Sequence, residues 1–240
     1  MSSPGDARAP ITYNYTFTFE DGTRKTFTVT LDGDTLAAQR PPDRPLPEWT
    51  RLGFNQCPGC PLKTEEHERC PPAAALADVI DAFKDRKSFA PVQVTVESEN
   101  RTYTWRGAIQ KGASPLVGLY MVTSGCPVLD RLRPLVETHL PFMSRHETMY
   151  RILALHLVSQ FFAQRRGEPL DVELAGLRRR MDEIRDVNVA FCTRLRGIDS
   201  LDASVNAVVI LATMGDFPAQ KMMGVDMERL ERLLREYYER

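Results

Sequence analysis

From Ile11 to Leu31 apolar and polar residues alternate with period two. Ile11, Tyr13, Tyr15, Phe17 and Phe19 fall on one face, and Thr12, Asn14, Thr16 and Thr18 on the other. That spacing predicts a strand buried on one side only. Asp21-Gly22 supplies a hairpin turn, and Phe27, Val29 and Leu31 repeat the alternation on the return. A second pair, Val92 to Val96 and Tyr103 to Trp105, turns around Ser98 to Arg101 with the same one-sided pattern. Two hairpins of this kind predict a small antiparallel sheet. Leu76, Val79, Ile80 and Phe83 follow helical spacing, so a helix over Ala73 to Phe83 is expected to cover the sheet's apolar face.

Beyond Gly112 the pattern turns helical. Ser114-Pro115 predicts the opening of one helix and Gly125 its end, and Cys126-Pro127 opens the next toward Leu140. His146 to Gln164 is strongly apolar. Leu170, Leu174, Leu177, Met181, Ile184, Phe191 and Leu195 then keep steps of three, four or seven residues, and further helices are expected around Ala203 to Met214 and Asp226 to Tyr238. The expected class is α+β. Residues 1–110 hold two antiparallel hairpins, a proline-rich connector (Pro41, Pro42, Pro45, Pro47) and a cysteine loop; residues 111–240 form a helical bundle that contributes a fourth cysteine.

Four of the five cysteines directly precede a proline: Cys57, Cys60, Cys70 and Cys126. With 17 prolines in 240 positions, chance yields this on the order of once in ten thousand. A residue before proline is pushed out of helical geometry into extended backbone, so these thiols belong to loops and can turn toward a shared site. Cys70 and Cys126 also stand where helices are expected to begin, and unpaired backbone N–H groups there would lower a thiol's pKa. The set C-x2-C-x9-C plus a distant cysteine would tie the two halves together through one metal centre. Four thiolates suit a [4Fe-4S] cluster with one cysteine per iron, and they also suit tetrahedral zinc. Cys-Pro occurs in bacterial cluster-binding runs, and Pro61 stands where zinc knuckles usually carry a small residue. Both details favour iron and sulfur.

Other readings of the loop are weaker. Cys57, Cys60, His67 and Cys70 spell a compact zinc knuckle, yet Glu65, Glu66 and Glu68 make it acidic, against the basic and aromatic surface that grips single-stranded nucleic acid. A thioredoxin-like dithiol at Cys57 and Cys60 conflicts with Pro61, which keeps Cys60 out of a helix. Cys192, beside Phe191 in the apolar pattern, reads as a small buried hydrophobe.

Charge narrows the partners. Lysine plus arginine (31) nearly cancels aspartate plus glutamate (32), for a net charge of -1, so no field draws in nucleic acid. No apolar run approaches the roughly 20 residues that span a bilayer, and Met1 to Pro10 lacks the basic start and apolar middle of a secretion signal. A cytoplasmic address follows as the expectation, with thiols kept reduced and no disulfide framework. Catalytic patterns fail on inspection. His146-Glu147 begins like a zinc-protease helix but meets Tyr150 where a second histidine is required, and phosphate-binding glycine loops and a G-x-S-x-G elbow are absent. His139 and His156 read as core histidines, and Arg178-Arg179-Arg180 as a solvated face.

The segments Cys57-Pro58, Cys60-Pro61-Leu62, Cys70-Pro71, Thr123-Ser124-Gly125-Cys126-Pro127, Leu140-Pro141, Glu147-Thr148, Tyr150-Arg151, Asn188, Ala190-Phe191, Arg194-Leu195-Arg196 and Asn206-Ala207 together resemble an uncharacterised bacterial family, a domain of unknown function. The resemblance covers most of the chain after the proline-rich connector and carries no activity, substrate or catalytic residue with it. The expectation from the residues themselves is a [4Fe-4S] protein for electron transfer or oxidant sensing, working with a redox or regulatory protein partner. The alternative is a zinc-stapled interaction module. An enzyme has no acid, base or nucleophile constellation to recommend it.

Overall fold

The computed structural model describes residues 7–39, 45–198 and 225–238. Strands β1 (Ile11–Phe19) and β2 (Arg24–Leu31) form the first hairpin, and β3 (Pro91–Ser98) and β4 (Arg101–Ala108) the second. They join into one antiparallel sheet in the order β2-β1-β3-β4. The register explains the single apolar face. Tyr13 stands opposite Val29, Tyr15 between Phe27 and Val96, Phe17 opposite Val94, and Val94 opposite Trp105. Helices α1 (Pro71–Phe83) and α2 (Ile109–Val122) pack against each other and bury Leu76, Val79, Ile80, Phe83, Ile109, Leu116 and Leu119. Phe83 closes the aromatic cluster, with its ring centroid 4.9 Å from that of Phe17 and 5.7 Å from that of Phe27.

A 3-10 segment (Leu129–Val136), α3 (Arg145–Arg165), α4 (Ala175–Arg196) and α5 (Val225–Tyr238) follow. One hydrophobic core runs from Tyr13 on the sheet to Leu195 on α4. The fold class is α+β, with two hairpins and a C-terminal helical region. Among the described residues no helix is long and apolar enough to cross a membrane.

Three helical expectations are corrected. The helix expected to open at Ser114-Pro115 begins at Ile109 and carries Pro115 inside it, because β4 runs straight into α2 and Ala108 serves as an N-cap without a side-chain hydrogen bond. The helix expected after Pro127 is a 3-10 segment, in which Pro134 has no N–H to extend an α-helical ladder. Leu170 and Leu174 precede α4: Leu174 is left-handed at φ 57°, and the Asp171 carboxylate caps the helix by accepting from the backbone N–H of Gly176 and Leu177. The helix expected around Ala203 to Met214 lies outside the described residues.

The core histidines are satisfied. His156 is buried, with Nε2 3.2 Å from the Asp171 carbonyl oxygen. His139 and the Tyr15 hydroxyl share a hydrogen bond of 2.5 Å, and Tyr13 packs edge-on at 5.1 Å. Burial, helped by the charge on Arg151, pushes the His139 imidazole down to about 4. Below pH 6.5 the unfolded chain therefore takes up a proton that the folded chain refuses until about pH 4. This histidine's share of stability is complete above pH 6.5 and is lost as pH falls toward 4, about 3 kcal/mol in all. Urea unfolding at pH 7 and pH 4.5 checks it: His139→Gln should show a flatter pH dependence than the wild type, and equal slopes would refute the assignment.

Candidate metal centre

The cysteine loop is a closed excursion between two anchored ends. At its neck Leu52 N–H donates to the Glu68 carbonyl and Cys70 N–H to the Thr50 carbonyl, with Arg51 and Arg69 paired as an isolated β-bridge. Arg69 adds side-chain hydrogen bonds of 3.1 Å to the Pro47 carbonyl and to Thr50 Oγ1. At the tip, Cys60 N–H donates to the Cys57 carbonyl at 3.0 Å, closing a tight Cys-Pro-Gly-Cys turn, and Gln56 Nε2 reaches the Leu62 carbonyl. Cys70 is the N-cap of α1 in extended geometry, with Pro71 as the first helical residue. That is the arrangement its proline dictates.

Cys126 arrives from the other side. Ser124 Oγ donates to the Met121 carbonyl and accepts from Cys126 N–H, while Gly125, left-handed at φ 94°, turns the chain out of α2. Cys70 and Cys126 are buried, Cys57 and Cys60 partly so, and all four belong to or pack on the main core.

The thiols act on one another. Burial pushes Cys57 up to about 11, and the neighbouring thiols of Cys70, Cys60 and Cys126 push in the same direction. Cys70 is raised by burial first, with Cys126 and Cys60 adding to it. Cys126 is likewise raised by burial, with Cys60 adding to it. Sulfurs from the loop and from the helical region thus stand within electrostatic reach of each other. The expected lowering at helix N-termini is present but outweighed. Backbone N–H of Ala73 favours the Cys70 thiolate, and those of Leu129 and Val128 favour that of Cys126, yet desolvation dominates. Among the described residues no three His, Cys, Asp or Glu side chains are gathered closely enough to hold a metal ion as they stand. The four thiols are neighbours, not a closed coordination shell.

Arginine 194, absent from the expected site, lies beside them. It is 1% exposed on α4, donates from Nη1 to the carbonyls of Trp49 (2.8 Å) and Arg51 (2.7 Å) and from Nη2 to that of Leu52 (3.1 Å), and sits 5.9 Å from the Phe54 ring. Its charge favours the thiolates of Cys57 and Cys70. A signal was present in the sequence: Arg194 follows Phe191 by three residues and Val187 by seven, which puts it on the buried face of the helix.

His67 is exposed on the loop. Cys192 is buried within α4, as a small hydrophobe would be. On the outer side of Cys57 an open cleft of about 710 Å³ runs between the 55–61 loop and α4, with Val128, Val187, Val189 and Ala190 as apolar walls. Arg131 and Glu183 form an ion pair among its lining residues. A family model described as a domain of unknown function (DUF6901) matches residues 11–234, nearly the whole chain. No curated protein and no solved structure matches the chain.

Proposed function

We propose that this chain, which belongs to the DUF6901 family of domains of unknown function, is a metal-thiolate protein whose Cys57, Cys60, Cys70 and Cys126 hold a [4Fe-4S] cluster. Its work is electron transfer or oxidant sensing, in company with a redox or regulatory protein partner. The observation that supports the reading is the mutual influence of four Cys-Pro thiols, three from one loop and one from the far side of α2. A single zinc ion would draw four sulfurs to about 3.8 Å from one another. A cubane takes one cysteine at each iron and holds the sulfurs farther apart, which suits thiols that are neighbours without surrounding one point. Cys57 and Cys60, half-buried at the cleft, give the side from which an electron or an oxidant would reach the centre.

Anaerobic purification with metal and sulfide analysis tests the reading. The expected product is brown, with broad absorption near roughly 400 nm and iron and acid-labile sulfide in equal amounts. A colourless chain with one zinc would replace the cluster by a closed structural site that fixes the loop to the helices and leaves the chain an interaction module. A chain containing neither defeats both.

A further inference from the structure

We infer that Arg194 is the internal counter-charge of the cysteine centre, holding it at low net charge inside the core. This rests on the metal-thiolate reading. Four thiolates around either a [4Fe-4S] core in its 2+ state or a zinc ion leave a dianion in a low-dielectric site, and buried charge persists only where it is paired or strongly solvated by the protein.

Arg194 is the complementary anomaly. Its guanidinium is fully desolvated, and three of its N–H bonds go to carbonyl oxygens, which satisfy hydrogen bonds without neutralising charge. Among the described residues no carboxylate forms an ion pair with it. The ionisable groups that gain from its charge are the thiols of Cys57 and Cys70. Arg131, which acts on Cys126, differs: it is partly exposed and already paired with Glu183. Arg194 also clamps the carbonyls of residues 49, 51 and 52 at the neck of the loop, so the same side chain fixes where the loop begins and supplies charge to what the loop holds.

A structural clamp and a counter-charge separate in two variants of the full chain. Arg194→Lys keeps the charge but loses the planar fork; Arg194→Gln keeps polarity and loses the charge. Both are reconstituted anaerobically with iron and sulfide, and the midpoint potential, iron release to a chelator and the metal-free melting temperature are read. The glutamine chain should show a more negative potential, since adding an electron beside a lost cation is harder, and iron release about tenfold faster than wild type. The lysine chain should keep the wild-type potential and release rate even though its metal-free form melts lower. Equal potentials in all three chains, or a lysine chain that loses iron as fast as the glutamine chain, would overturn the inference while leaving the metal centre standing. If the glutamine chain fails to fold, the lysine chain decides alone: an unchanged potential supports the counter-charge, and a lost cluster refutes it. A wild-type chain that takes up neither cluster nor zinc removes the metal centre and this inference together.

Discussion

Serine in place of Cys126 should abolish metal uptake as completely as serine at Cys60. The exchange is nearly isosteric, so the metal-free fold is retained. What disappears is a soft sulfur ligand, for which a hydroxyl is a poor replacement at iron-sulfur or zinc sites. The prediction is demanding because Cys126 is the remote member. It lies beyond the whole sheet and α2 in the chain, and only the fold brings it beside the loop. The competing ligand set, Cys57, Cys60, His67 and Cys70, dispenses with Cys126 and relies on an imidazole that stands exposed. Metal and sulfide analysis of Cys60→Ser, Cys126→Ser, His67→Ala and Cys192→Ser decides between them. The first two should contain no metal and the last two should match the wild type. Full occupancy in Cys126→Ser would transfer the site to the knuckle.

The parts of this fold that could be read from the sequence are those in which local chemistry and tertiary packing agree. The threonine and aromatic alternation of β1 and β2 leaves one register that buries Tyr13, Tyr15, Phe17 and Phe19 together, and that register is found. Cys70-Pro71 marks the start of α1 because proline suits a first helical turn and forbids the residue before it. The misreadings have a common cause. Pro115 was expected to open a helix, but proline inside α2 is tolerated where burial of Ile109, Ala113, Leu116 and Val117 outweighs one missing backbone bond. Thiols at helix starts were expected to be acidic, yet the burial that brings Cys70 and Cys126 into the core costs their thiolates more than the N-terminal amides return. Arg194 was hidden for a related reason: within the α4 pattern a charge reads as surface, and only three carbonyls from residues 49, 51 and 52 reveal why it can be buried.

Truncating Phe83 to alanine should cost the metal-free protein about 3–5 kcal/mol, since it empties a fully enclosed aromatic site. Phe83 is 1% exposed and holds the end of α1 against Phe17, Phe27 and Phe19. The same helix starts at Cys70, so loosening its far end frees one ligand of the centre relative to the sheet. A metal bound through cysteines on both sides of α1 belongs to the folded chain alone, and its binding free energy adds to folding. Metal-loaded Phe83→Ala should therefore recover most of the melting temperature that the metal-free variant loses, and loading should raise the wild type as well. Thermal melts of both proteins with and without metal make the comparison. If loading leaves both melting temperatures unchanged, the cysteines do not link the loop to the helical region through a shared ion or cluster, whatever metal the protein carries.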